Sequence, residues 1–315
     1  MANTPVVVLD DTLTNIANAI RGKNGSSDKY KPGQMAGAID NIPAGGIGIP
    51  REVVNGVYQK PEITSFSLPS DATDVGQQAL YLAFNGCTSL TSVDLSSLTD
   101  VSGKHAFYSA FQKCSNLTSV DLSSLTTVSG EEAFSGAFNG CTSLTSVNLS
   151  ALTTVDASLA LLNSFSGCTS LTSVDLSSLT TVRNYQALAY AFANCTSLTS
   201  VDLSSLTDAS GHQASFKYAF SGCTKLASVN FSSLAKLSGQ STFYYAFSNC
   251  SSLTSLSFPA LTVDSFAYEV NQFNNMLSGV TGCTVHFPAA IQAKIETMTG
   301  YPNFGGTNTT VLFDL

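Results

Sequence analysis

The side chains with most chemical capacity in this chain recur at a fixed interval. Asp94, Asp121, Asn148, Asp175, Asp202 and Asn230 stand 27 residues apart, with one step of 28, and each follows a Ser-Val pair. Between an inward Val and an inward Leu of a strand, such side chains point outward and stack into a ladder. A ladder of this kind could hold calcium or hydrogen-bond a sugar. Two carboxylates about 5 Å apart in water repel by less than ~1 kcal/mol, so an exposed ladder is tolerable with no ion. The two asparagines weaken a metal site further, and a solvated face is the preferred reading. Serines flank the ladder, as in Ser92 and Ser96, Ser119 and Ser123, Ser173 and Ser177. They leave a flat, weakly charged face that suits glycan hydroxyls but also arises from repetition alone.

Tyrosines offer a second chemistry. Tyr190, Tyr218 and Tyr245 each stand two residues before a phenylalanine, and Tyr108 and Tyr244 stand one place earlier in their segments. Together with Tyr185 they form a candidate ligand-binding strip, because tyrosine presents contact area with few rotors. Half-buried packing in the convex layer is the competing reading. These tyrosines fall in stretches that vary on an otherwise fixed frame, such as Lys104-His105 and Arg183-Asn184-Tyr185, where recognition usually resides. Catalysis has little support. His105 and His212 are about four coils, or roughly 20 Å, apart, and His286 lies in yet another coil, so they cannot share a metal. Gly-rich phosphate loops, HExxH and Gly-x-Ser-x-Gly do not occur. No catalytic residue, metal or other cofactor is expected.

The elements that must carry these side chains are set by the same period. Cys87, Cys114, Cys141, Cys168, Cys195, Cys223 and Cys250 are separated by 27 residues, except for one step of 28 across the segment 208–217. Around them runs Ala/Ser-Phe-x-x-Cys-x-x-Leu-x-x-Val/Leu-x-Leu/Phe-x-x-Leu. A self-similar period of 20–29 residues with a Leu-x-x-Leu-x-Leu core marks a leucine-rich-repeat solenoid, an α/β architecture with one strand and one turn or short helix per coil. The first full inward set reads Phe84, Cys87, Leu90, Val93, Leu95, Leu98 and Val101. A partial copy with Ile63, Phe66 and Leu68 precedes it, which makes about eight coils. At about 4.8 Å per coil that is a rod of roughly 40 Å. Stacked coils hold equivalent Cβ atoms about 5 Å apart and parallel, whereas a disulfide wants 3.5–4.5 Å and converging vectors. Free, buried thiols are expected, and without Cys-x-x-Cys a structural zinc is not.

Of the 315 residues 11% are charged, and the net charge is −8. The repeats have no Lys/Arg clusters, which argues against nucleic acid or an anionic membrane surface as partner. No run of 18 apolar residues provides a membrane span. The start, 1–11, lacks a basic n-region and a long apolar run, so no signal peptide is expected. Three domains follow: a helical anchoring module and linker over 1–50, the solenoid over 51–262 and a C-terminal cap over 263–315. In the first, Leu13, Ile16 and Ile20 form one apolar stripe, and Met35 and Ile39 another. Two short amphipathic helices cannot enclose a core, so this module must dock onto something. In the cap, Thr284–His286 reads as a strand, 289–298 as a helix with Ile291, Ile295 and Met298 on one face, and 310–313 as a closing strand.

The copy Ala110-Phe111-Gln-Lys-Cys114-Ser-Asn-Leu117-Thr-Ser-Val120-Asp-Leu122 resembles the BspA-type leucine-rich repeat family of bacterial surface proteins, over roughly residues 60–290. The family coil is usually shorter, and Leu98 stands where ordinary leucine-rich repeats carry Asn or Cys. Separately, Leu13-x-x-Ile16-Ala17-x-Ala19-Ile20-Arg21-x-Lys23-x-Gly25, with Tyr30-x-Pro32-x-x-Met35-Ala36-x-x-Ile39, is similar to a short N-terminal module of phage and prophage tail-associated proteins of Gram-positive gut bacteria. That resemblance implies a virion tail component, made in the bacterial cytoplasm. Its residues 11–42 would meet other tail proteins and its repeats a host-surface protein or glycan, and a homotrimer is one assembly it leaves open. The alternative is a BspA-type adhesin on the bacterial cell surface that binds host or matrix proteins. A hydrolase would need clustered carboxylates in a cleft, and the chain offers only the ladder.

Overall fold

The computed structural model describes residues 52–54, 57–59, 64–68, 70, 72–211, 214–237, 239–266 and 271–315. The expected anchoring stripes of Leu13, Ile16, Ile20, Met35 and Ile39 lie outside the described residues, as does His212. What is described is a parallel-strand solenoid of about nine turns with very little helix.

Each turn begins with a three-residue strand whose sequence explains its form. In Ser119–Asp121 the central Val120 is buried and its neighbours are exposed, the alternation that a strand covered on one face requires. The strands Ser65–Ser67, Ser92–Asp94, Ser119–Asp121, Ser146–Asn148, Ser173–Asp175, Ser200–Asp202 and Ser228–Asn230 pair in that order into a seven-stranded parallel sheet. Its register is one whole repeat, Val93 beside Val120 and Val120 beside Val147. A second parallel sheet of four short strands, Asp100–Val101, Thr127–Val128, Thr154–Asp156 and Thr181–Arg183, forms the next side of the coil. Threonines staple both sheets, since Thr118 and Thr126 donate side-chain hydroxyls to the carbonyls of Thr91 and Thr99, one coil back.

On the third side each coil takes the turn, of the turn or short helix that the period allows. Between Gly103 and Cys114 the amides of Ala106, Tyr108, Ala110, Gln112 and Cys114 close three-residue-back turns, while those of His105, Phe107, Ser109, Phe111 and Lys113 reach carbonyls of the next coil. Every fourth residue is left-handed, with φ of 56° at His105, 47° at Ser109 and 60° at Lys113. The apolar pattern is the reason. Ala106-Phe107, Ala110-Phe111 and then Cys114 are buried at a period of four, and an α-helix would rotate such a stripe by about 40° at each step. A ladder of turns keeps it pointed inward, and glycine or asparagine at many of the left-handed places lowers the strain.

The core is one-dimensional. Phe84, Phe111, Phe138, Phe165, Phe192, Phe220 and Phe247 stack in one column with centroids 5.1–5.6 Å apart. Each is worth roughly 1.5–3 kcal/mol when buried, yet its cover is the neighbouring coil, so stability is a nearest-neighbour sum. All eight cysteines are buried, and none forms a disulfide. Their thiols complete the stack, as Cys141 donates to the carbonyl of Phe111 and Cys168 to that of Phe138, at 3.1 and 3.2 Å. At one corner the coils touch backbone to backbone: a Cβ on Gly130 would lie 2.5 Å from the carbonyl oxygen of Gly103.

Towards the C-terminus Ser255–Ser257, Thr284–His286 and Thr310–Leu312 make a three-stranded parallel sheet. The expected helix over 289–298 is shorter: a 3-10 turn at Ala289–Ile291 leads into one helical turn, Gln292–Ile295. Ile291, Ile295 and Met298 are all buried. Upstream, Glu52–Val54 and Val57–Gln59 form an antiparallel pair that the repeat period does not announce, although Asn55-Gly56 between them is a hairpin signal.

Candidate functional site

The turn ladder gives a column of left-handed positions five residues before each of the seven cysteines from Cys87 to Cys250. It is occupied by Leu82, Ser109, Gly136, Asn163, Tyr190, Tyr218 and Tyr245. Glycine and asparagine belong there, whereas a tyrosine pays roughly 1–2 kcal/mol for the conformation. Three successive coils nevertheless carry tyrosine, with φ of 55°, 52° and 53°. Their rings stack nearly parallel, Tyr190 on Tyr218 at 4.8 Å and Tyr218 on Tyr245 at 4.9 Å. Tyr244 stands perpendicular to both Tyr218 and Tyr245, at 6.0 and 4.6 Å. All four are half-buried. Burial, followed by the neighbouring phenols, raises the hydroxyls of Tyr190 and Tyr218 above their ordinary value. These two therefore stay neutral near pH 7, able both to donate and to accept a hydrogen bond.

Beside this ridge lies a groove of about 230 Å³ lined by Gln186, Ala214, Lys217, Gln240, Ser241 and Tyr244. It spans three coils, including the one with 28 residues, so the break in the repeat and the groove coincide. Tyr185 is 39% exposed, and its hydroxyl accepts a hydrogen bond from the Gln186 amide at 3.0 Å. Within the same coils Asp208 is held by Arg183, 2.6 Å away, with Lys236 at 3.9 Å. Burial works to raise the Asp208 carboxyl, but the hydrogen bonds from Ser210 and Arg183 win and hold it below the usual range.

Tyr108 is not part of this ridge. It stacks on Tyr81 at 5.0 Å, four coils from Tyr218, with His105 edge-on to both rings. Nε2 of His105 is 3.6 Å from Glu132, and its buried Nδ1 has no partner. The structure thus gathers Tyr190, Tyr218, Tyr244 and Tyr245, puts Tyr185 one residue from the groove, and separates Tyr108. Tyr81 is absent from the candidates read in the sequence, although it stands exactly 27 residues before Tyr108. The groove was not legible there either, because it depends on how three unlike coils pack.

The Asp/Asn ladder has a local structural task. Oδ1 of Asp94, Asp121, Asn148, Asp175, Asp202 and Asn230 accepts the amide of the serine two residues on, at 2.9–3.1 Å. These are Asx-turns that end each strand, and an asparagine oxygen serves as well as a carboxylate. At Asp94 the hydroxyl and amide of Ser96 lower the pKa despite some burial. Among the described residues no three or more His, Cys, Asp or Glu side chains are grouped to hold a metal ion. His286 instead contacts Asp314 at 2.9 Å in the C-terminal region. No helix of the described residues is long and apolar enough to cross a membrane.

Known proteins agree with this geometry at the level of the repeat. No curated protein matches the chain. Among solved structures it is similar to a leucine-rich repeat protein of T. pallidum, with 25% identity over 54% of this chain and 70% of that one, at a TM-score of 0.33. It is also similar to a leucine-rich cell surface protein of Faecalibacterium prausnitzii, at 19% identity over 85% and 83%, TM-score 0.25. An internalin of Listeria monocytogenes aligns at 15% identity over 95% and 90%, TM-score 0.26. The profile of the BspA type leucine rich repeat region matches residues 51–160, 108–245 and 136–277. The chain belongs to the BspA-type leucine-rich repeat family.

Proposed function

We propose that this chain is a non-enzymatic recognition scaffold of the bacterial surface, an adhesin that contacts its ligand through the ridge of Tyr190, Tyr218, Tyr244 and Tyr245, with Tyr185 at its edge. The observation that carries this reading is the placement of three stacked tyrosines on left-handed backbone where Gly136 and Asn163 serve elsewhere in the same column. The fold accepts glycine, serine or asparagine there, and backbone strain carried by a residue the fold does not require points to a functional surface. Leucine-rich repeat proteins in general bind other macromolecules, and the family resemblance to bacterial surface proteins supports the location. In this reading 51–262 is the binding rod and 263–315 its cap.

The test is attachment of the purified chain to intact bacterial and epithelial cells. Joint replacement of Tyr190, Tyr218 and Tyr245 by asparagine should lower attachment at least tenfold while the circular dichroism spectrum stays the same. Undiminished attachment would overturn the ridge as the contact surface.

A second placement, on a phage tail, is favoured by the motif from Leu13 to Ile39. There residues 1–50 anchor the chain to other tail proteins and the same ridge meets the host. Deletion of 1–50 should abolish incorporation into particles from an induced lysate, and retained incorporation would sink the anchoring role.

A further inference from the structure

The geometry points to the groove between Gln186, Lys217 and Gln240 as a subsite for one acidic sugar ring, a pyranose that carries a carboxylate within a larger glycan. This inference rests on the recognition reading above and names the ligand class. Three features of the groove lead to it. Among its described lining residues Lys217 is the one charged residue, and none of them is a carboxylate. In a chain of net charge −8, a lysine set in a concavity offers a place for an anion. Asp208, within the same coils, is only 6% exposed in its side chain and is engaged by Arg183 and Lys236.

The uncharged lining decides between a sugar and an acidic peptide. Gln186, Gln240 and Ser241 each offer a donor and an acceptor on one short group, which matches vicinal hydroxyls that also do both. Acidic-peptide recognition relies on clusters of arginines, and other peptide recognition on apolar pockets for alternate side chains or an open strand edge; the described lining has one lysine, no arginine, and Ala214 and the Tyr244 ring as its apolar members. Its volume of about 230 Å³ falls below the ~300–1,000 Å³ of sites that enclose a drug-sized molecule. It admits one ring and leaves the rest of a glycan to run along the ridge. The neutral phenols of Tyr190 and Tyr218 stand beside it as further hydroxyl partners.

The test titrates the full chain, by calorimetry, with the methyl glycosides of glucuronic acid, galacturonic acid and N-acetylneuraminic acid. Methyl glucopyranoside serves as the neutral control and N-acetylglutamate amide as the acidic non-sugar control. At least one acidic glycoside should bind saturably and at least tenfold more tightly than either control. Lys217→Met, which keeps the aliphatic stem, should weaken it at least tenfold. Gln240→Leu, on the next coil, should do the same and decides the matter if the first variant does not fold. Absence of saturable binding by all three, equal binding of a control, or full affinity in a folded variant would overturn the subsite. Loss of cell attachment in the triple tyrosine variant without acidic-sugar binding would sink the ligand class alone. Acidic-sugar binding with undiminished attachment of that variant would sink the ridge and uphold the groove.

Discussion

Replacement of Tyr218 by asparagine separates a ridge kept for binding from a ridge kept for packing. Tyr218 lies at φ 52° between Tyr190 and Tyr245, at 4.8 and 4.9 Å. Loss of two stacked pairs removes about 1–3 kcal/mol, while asparagine at a left-handed position returns about 1 kcal/mol. Asn163 shows that this backbone accepts it, at φ 54°. The net cost is therefore ~0–2 kcal/mol. Phe220 provides the comparison two residues on: it is 1% exposed and stacked on both sides at 5.6 and 5.5 Å, and its truncation to alanine should cost about 3–5 kcal/mol. Urea unfolding of both variants, read by circular dichroism and extrapolated linearly, measures the two costs on one scale. Tyr218→Asn should cost less than Phe220→Ala. A cost equal to or above that of Phe220→Ala would refute the reasoning, because the tyrosines would then be part of the core.

Other consequences follow from the coil contacts. Gly130→Ala sets a Cβ 2.5 Å from the carbonyl oxygen of Gly103, a backbone atom with no rotamer to yield, and should destabilise by about 1–3 kcal/mol in the same urea assay. Asp121→Asn should leave stability unchanged and Asp121→Ala should lower it by about 1 kcal/mol, because the Asx-turn needs an acceptor and not a charge. Calcium or a chelator should move the melting temperature of neither. Burial pushes the thiols of Cys168 and Cys223 up to about 12 and that of Cys283 to about 11, from an ordinary 9.0. The folded state thus holds protons that the unfolded state releases, so this stability is whole below pH 9 and is lost as pH rises towards the folded values, by ~1.4 kcal/mol per unit for each thiol. Urea midpoints at pH 8 and 10.5 check the fall, and Cys168→Ala should flatten it by one proton.

How far the sequence alone reaches is clearest on the turn side. The 27-residue spacing places the strands and their register correctly, because a Val buried beside the next Val is the same residue one period on. The period-four run Phe107, Phe111 was visible too, but its left-handed backbone was not, since Ser109, Leu82 and the three tyrosines give no local sign of positive φ. The Asp/Asn alternation was legible as an outward ladder, yet its Asx-turn role requires the position of the serine amide. Tyr81 was missed because it precedes the first full repeat, and the groove because it depends on how three unlike coils pack. The strands at 284–286 and 310–312 were legible, but not the parallel pairing of 284–286 with Ser255–Ser257 on one side and 310–312 on the other, because the long segments between them hide the period.

The most direct measurement is hydroxyl-radical footprinting of the chain, free in solution and attached to cells, with each tyrosine read by mass spectrometry. Recognition through the ridge predicts protection of Tyr190, Tyr218, Tyr244 and Tyr245 on attachment, with Tyr81, Tyr108 and Tyr301 unchanged. Protection confined to Tyr81 and Tyr108, or to the strands from Ser92 to Asn230 with the ridge unaltered, would contradict it.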